Sequence, residues 1–197
     1  MKERPILFSA PMVRAILEDR KTQTRRVVHW PWKRWPKADE LDNLGDMESL
    51  WVRGKKITCP YGQPGDRLWV RETWKDDYIP PEDHDAPLSC GTHCGYLYKA
   101  DGEDEGPWKP SIFMPRAASR ITLEVTGVRV ERLQEISGED AEAEGVQLVG
   151  GAAMWPHINR GDKMRCAFEQ LWDSLNAKRG FGWEKNPWVF VVEIKRI

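Results

Sequence analysis

The sequence predicts a mixed α+β fold, mainly β: a small barrel with helices on its edges and long polar loops between the elements. Three observations carry this. Five to seven short stretches are β-branched or aromatic and alternate in part. Three segments carry helix caps or the spacing of an amphipathic helix. The connections are long, polar and rich in proline and glycine, and no internal repeat is present. Short strands with a few helices and such connections describe one small barrel.

In chain order, Ile6-Leu7-Phe8 reads as a short strand. Ser9 is a candidate N-cap for a helix with Pro11 in its first turn, where a missing N–H does no harm. Met12, Ala15 and Ile16 give that helix an apolar stripe, and it should end near Asp19-Arg20. Thr22–Val28 is β-branched and reads as a strand. Residues 29–64 are rich in proline, tryptophan and charge, and are expected to hold little regular structure. Pro64-Gly65-Asp66 is a turn signal into a strand at Arg67–Glu72. Residues 75–95 read as a polar loop, Tyr96–Tyr98 as a short strand and 101–111 as loop.

Ile121–Leu133 alternates through Ile121, Leu123, Val125, Val128 and Val130, with Gly127 between. It is one bent strand or two joined at the glycine. Ser137, with an acid three residues later, opens a helix that runs to about Glu144 and stops at Gly145. Met164, Phe168, Leu171, Trp172 and Leu175 share one face of a helix over Asp162–Lys178. Trp188–Ile194 is almost continuously apolar, which marks a central strand.

Composition excludes several classes. At 197 residues with 40% hydrophobic and 31% charged side chains, the chain suits one soluble domain with long insertions, or one domain and a small appendage. No run of about 18 apolar residues offers a membrane span, and the N-terminus is too weakly apolar for a secretory signal. The expected location is the cytoplasm, as a monomer or small homo-oligomer. Net charge is -1, so nucleic acid would be held by a local patch. Arg14 to Lys37 is basic and 76–106 is acidic, which permits a basic face.

The densest chemical cluster is Arg20-Lys21-Thr22-Gln23-Thr24-Arg25-Arg26, at a helix-to-strand junction. Strand alternation would put Thr22, Thr24 and Arg26 on one face. With Lys21 turned inward, a lysine, a hydroxyl and an arginine would converge on an anion or a carbonyl. A desolvated lysine flanked by arginines loses its proton nearer neutral pH and becomes a base for a hydroxyl or a water. The same run also reads as a solvated basic strand edge.

Asp19-Arg20-Lys21-Thr22-Gln23-Thr24-Arg25-Arg26 resembles the ASCH signature Gly-x-Lys-x-x-Thr-x-Arg, with Lys21, Thr24 and Arg26 matching and Asp19 in place of the glycine. The ASCH family belongs to the PUA-like β-barrels, which handle RNA or nucleosides. The Gly65-Asp66-x-Leu68 turn, the helix over Ser137–Glu144 and the closing strand lie where the family has them. The blocks Pro5–Arg26, Cys59–Trp74 and Trp108–Leu133 resemble ASCH-like proteins of phages and prophages. The resemblance implies a single domain over 1–197, with insertions at about 29–57 and 75–106.

One bacterial ASCH family is an amidohydrolase that deacetylates N4-acetylcytidine without a cofactor. By that resemblance Lys21 is the proton acceptor, Thr24 the nucleophile and Glu144 the proton donor, with Glu139 and Glu142 as competitors for the last role. Arg26 would hold the substrate or stabilise the oxyanion. Arg71, Arg116 and Ser119 are further binding candidates. The loop Trp108–Arg120 reads as a lid or phosphate-contacting loop over the barrel mouth, or as a surface loop pinned by Trp108 and Met114. The partner would be a modified nucleoside or RNA. A non-catalytic RNA-binding module and a ribonuclease using the same corner remain alternatives.

Cys90, His93 and Cys94 with distant Cys59 offer a zinc set only as the weaker reading; Cys-x3-Cys is a loose spacing, and ordinary loop cysteines with no metal are expected. Cys166 is expected in the core. Trp30, Trp32 and Trp35 interleave with Lys33, Arg34 and Lys37, which suits single-stranded nucleic acid or an apolar barrel edge.

Overall fold

The computed structural model describes residues 1–29, 41–43, 49–52, 55–79, 92–102, 106–148 and 158–197. The principal sheet has five strands in the order β1 (Glu3–Leu7), β6 (Arg67–Arg71), β9 (Thr122–Arg132), β10 (Trp188–Arg196) and β2 (Gln23–Val27). Only β1 and β6 run parallel; the other pairs are antiparallel. Among the described residues three α-helices accompany it: α1 (Ala10–Leu17), α2 (Gly138–Ala143) and α3 (Arg160–Asn176).

β10 explains its own sequence. It is paired on both edges, and its alternate residues enter different cores. Trp188, Phe190, Val192 and Ile194 pack with Ile6, Phe8, Val13 and Ile16 on the α1 face. Val189 and Val191 pack with Met164, Phe168 and Trp172 of α3 on the other. A strand buried on both faces has no polar alternation, and each large side chain so buried is worth roughly 1.5–3 kcal/mol.

The sheet curls. No ladder joins β1 to β2 among the described residues, yet Arg26 Nη2 on β2 donates to the Leu7 carbonyl of β1 at 2.7 Å. The two edges are therefore linked by a side chain.

Gly127 does not break β9, which runs unbroken for 11 residues. The register slips opposite Glu193 and Ile194, leaving Thr126 as an unpaired bulge residue.

Several expectations are corrected. The stretch 29–64 contains a three-stranded sheet: β3 (Leu41–Asn43), β4 (Ser49–Val52) and β5 (Lys55–Thr58). Each strand is too short to show periodicity alone. The expected loop at 75–95 begins within an antiparallel pair, β7 (Trp74–Ile79) with β8 (Thr92–Tyr98). Ser9 sits at the start of α1 but makes no side-chain cap bond. Thr22 is exposed, so it does not join Thr24 and Arg26.

Cys166 is exposed as well, and Leu175 is 47% exposed. The buried stripe of α3 narrows to Met164, Phe168 and Trp172, spaced by four, and these two residues fall outside it. Asn159 caps this helix, accepting from the Asp162 amide at 2.9 Å. Among the described residues no helix is long and apolar enough to cross a membrane.

Candidate functional site

Two helix C-termini meet at the start of β2. α1 ends in a Schellman turn: the Arg20 amide donates to the Ala15 carbonyl at 2.9 Å, and the Asp19 amide to that of Ile16 at 3.1 Å. Asp19 holds the left-handed position, with φ of 55°. The turn is tight enough that the Lys21 amide also reaches the Ala15 carbonyl, at 3.0 Å. This reverses the chain and sends the Lys21 side chain inward.

α2 arrives from the other side. Ser137 accepts from the Asp140 amide at 3.0 Å, as an N-cap should. The Asp140 carboxylate does not return to the cap; it reaches into the sheet instead. Glu144 caps the C-terminus, and Gly145 follows with φ of 79°. Lys21 and Glu144 then form an isolated antiparallel bridge.

The side chains complete the junction. Lys21 Nζ donates to Glu144 Oε2 at 2.7 Å and to the Glu144 carbonyl at 2.9 Å. Lys21 is 3% exposed and Glu144 5%, so water screens neither. Burial pushes the Lys21 amine below the usual lysine value; Glu144 opposes this, and Arg26 and Arg25 add to it. The Lys21 amine lies 5.6 Å from the Phe8 ring centre, and the Arg26 guanidinium lies 5.2 Å from the same ring.

Of the expected residues, Lys21 and Glu144 thus touch, and Arg26 shares Phe8 with Lys21. Thr24 is buried on the strand between them. No hydrogen bond joins Thr24 to either partner among the described residues. Glu139 and Glu142 are exposed, and Glu142 pairs with Arg160.

Arg71, Arg116 and Ser119 gather around β6, where the Arg71 carbonyl accepts from the Phe8 amide at 3.1 Å. The guanidiniums of Arg71 and Arg116 sit 4.6 and 5.9 Å from the Trp69 ring centre. Arg116 pairs with Glu3 at 2.9 Å, and Ser119 donates to the Val70 carbonyl at 2.8 Å. Buried Met114 anchors the Trp108–Arg120 loop against Trp74, while Ile112 and Phe113 are exposed.

Two features escaped the sequence reading. Arg25, directly before the signature arginine, is fully enclosed and paired with Glu131, Asp140 and Glu144. Buried Glu72 takes two hydrogen bonds from Arg120, both at 3.0 Å. No local pattern marks either, because every partner is distant in sequence.

A groove of about 710 Å³ opens beside the pair, between α1 and α3. Glu144 lines it, with Met12, Val146, Leu148 and Leu171 as apolar wall and Arg14 and Arg20 among its polar residues. A volume of roughly 300–1,000 Å³ suits a small organic ligand.

Among the described residues no cluster of three His, Cys, Asp or Glu is placed to hold a metal ion. Cys59 is buried in the core, which raises its thiol to about 11. Cys90 and the side chains of His93 and Cys94 lie outside the described residues, as do the tryptophans at 30, 32 and 35.

No protein-family model and no curated protein matches the chain. The chain is similar to one solved structure, the high resolution crystal structure of an ASCH domain from Lactobacillus crispatus JV V101. Identity is 12%, the match covers 99% of this chain and 79% of that one, and the TM-score is 0.41.

Proposed function

We propose that this chain is a single-domain ASCH-type amidohydrolase that removes the acyl group from N4-acetylcytidine or a related N4-acylated cytosine nucleoside. The observation that carries the proposal is the buried Lys21–Glu144 hydrogen bond of 2.7 Å at the edge of the groove. One proton lies between an amine and a carboxylate, and burial weakens the amine's hold on it. Moving that proton along the bond yields a neutral lysine and a protonated glutamate. Those are the base and the acid that amide hydrolysis needs.

The reaction then balances. Lys21 takes the Thr24 hydroxyl proton as the threonine oxygen attacks the acyl carbon. The C–N bond breaks as Glu144 gives its proton to the departing N4 nitrogen. Water attacks the acyl-threonine ester, giving one proton to Glu144 while Lys21 returns its own to Thr24. The products are a carboxylic acid and the free cytosine amine. Arg26 supports the oxyanion role, since its buried Nε has no hydrogen-bond partner among the described residues. The curled sheet, with Arg26 linking its edges, is compatible with the PUA-like barrel of this reading.

The test is incubation of the purified protein with N4-acetylcytidine, with cytidine followed by chromatography. Turnover that is lost in Lys21→Ala and Thr24→Ala supports the reading. A folded wild type without turnover overturns it.

A second reading has its own observation. Two arginines flank Trp69, and Phe113 is 72% exposed nearby in sequence to Arg116. Cations beside aromatics suit an RNA strand without catalysis. A labelled-RNA shift that weakens with added salt and in Arg71→Ala would favour it.

A further inference from the structure

We propose that Arg25 is the positioning residue of the Lys21–Glu144 pair: it holds one carboxylate oxygen of Glu144, orients the other on Lys21, and shares the glutamate's charge. The inference rests on the catalytic reading of that pair. Its geometry stands apart from the signature, in which the position of Arg25 is unspecified.

The carboxylate is divided between two cations. Oε2 accepts from Lys21 Nζ at 2.7 Å and Oε1 from Arg25 Nη1 at 3.2 Å. Arg25 cannot easily turn away. Its Nε and Nη2 both donate to Glu131 Oε1, at 2.9 and 2.7 Å, and Nη2 also donates to Asp140 Oδ2 at 2.8 Å. The Phe168 ring centre lies 5.9 Å from the guanidinium. A planar fork held at three points fixes the plane of what it grips.

The anchors are themselves held. Arg129 donates to Glu131 at 3.1 Å, Asp140 at 2.8 Å and Glu193 at 2.6 Å. Gln23 donates to Asp140 Oδ1 at 2.9 Å. Charge therefore alternates from Lys21 through Glu144, Arg25 and the two acids to Arg129. The other charged groups near the pair are Arg26 beside Phe8, Arg20 donating to the Gly145 carbonyl, Glu18 paired with Arg20, and Arg14 and Lys163 in the groove that Glu144 lines.

The consequence is electrostatic. A glutamate that also serves Arg25 stabilises the Lys21 ammonium less than one serving Lys21 alone. Arg25 adds direct repulsion of the same sign. Both effects free the lysine proton at lower pH.

The test is NMR titration of Lys21 in protein carrying labelled lysine, in the wild type, Arg25→Gln and Arg25→Lys. Removing the charge should raise the Lys21 midpoint by about one unit, a tenfold tighter hold on the proton. Arg25→Lys keeps the charge and should fall between the two. An unchanged midpoint in folded Arg25→Gln would falsify the proposal. A second measurement needs no variant: a fixed fork gives Arg25 separately resolved guanidinium protons in the wild type, and one averaged signal overturns it. Neither readout needs turnover, so a wild type inactive on N4-acetylcytidine sinks the catalytic reading separately. Where turnover is seen, the alkaline limb of the pH–rate profile, where the pair loses its one proton, should move upward with the midpoint in Arg25→Gln.

Discussion

Gly145 lies hard against Lys21. A Cβ built on the glycine would stand 2.9 Å from the Cβ of Lys21 and 2.8 Å from that of Ala15. The glycine φ of 79° is also one that side chains rarely adopt. Gly145→Ala therefore meets a steric and a conformational penalty together. It should destabilise the fold by about 2–4 kcal/mol. Urea unfolding checks this, and a loss below about 0.5 kcal/mol would show that the two helix ends do not pack this closely.

Asp19 carries the opposite prediction. It occupies the left-handed position of the Schellman turn without being glycine. Asp19→Gly should stabilise the protein by roughly 1 kcal/mol. The ion pair with Arg196 that it removes is exposed on both sides and offsets little. Thermal unfolding should show a higher midpoint with the Lys21 site intact.

Lys21 and Glu144 should prove strongly coupled. Glu144→Gln leaves the buried Lys21 ammonium without its carboxylate and should cost about 3–5 kcal/mol; Lys21→Met should cost less, because Arg25 still holds Glu144 Oε1. The Lys21→Met, Glu144→Gln double variant should cost clearly less than the sum. A double-mutant cycle in denaturant measures this, and simple additivity would mean that the pair does not interact.

The pH dependence of stability has a definite sign. The folded-state pKa of Lys21 lies below its ordinary value of 10.5 through desolvation. Between those two values the unfolded chain binds the proton more tightly, so stability rises with pH. The Lys21 contribution is therefore unfavourable below the folded pKa and is relieved as pH climbs towards 10.5. The stability difference between wild type and Lys21→Met should grow in the wild type's favour across that window. A flat difference would place the lysine in water.

The loop corner supplies a contrast. Glu72 is buried beneath Arg120, and burial raises its pKa above the ordinary glutamate value of 4.5, with Arg120 opposing. The folded state then binds this proton more tightly. Stability relative to Glu72→Gln should fall as pH rises from 4.5 through the folded pKa. Paired unfolding curves in that range decide it.

Local features are legible in the residues alone. Ser137 as a cap, the Met164–Phe168–Trp172 stripe and the two-faced apolar run of β10 depend on neighbours within one or two turns or on strand alternation. Lys21, Thr24 and Arg26 were visible as a cluster because they lie within six residues. The pairing of Lys21 with Glu144 was reachable only through resemblance, since 123 positions separate them. Alternation puts Arg25 and Arg26 on opposite faces of β2, but it does not say which face holds acids. That was decided when β9 and α2 brought Glu131 and Asp140 beneath Arg25 while β1 and α1 brought Leu7 and Phe8 to Arg26. Cys166 shows the same limit, because its exposure depends on how wide a stripe of α3 the sheet covers. Local patterns fix which element forms; the charge state of a buried lysine is fixed by what distant segments place around it.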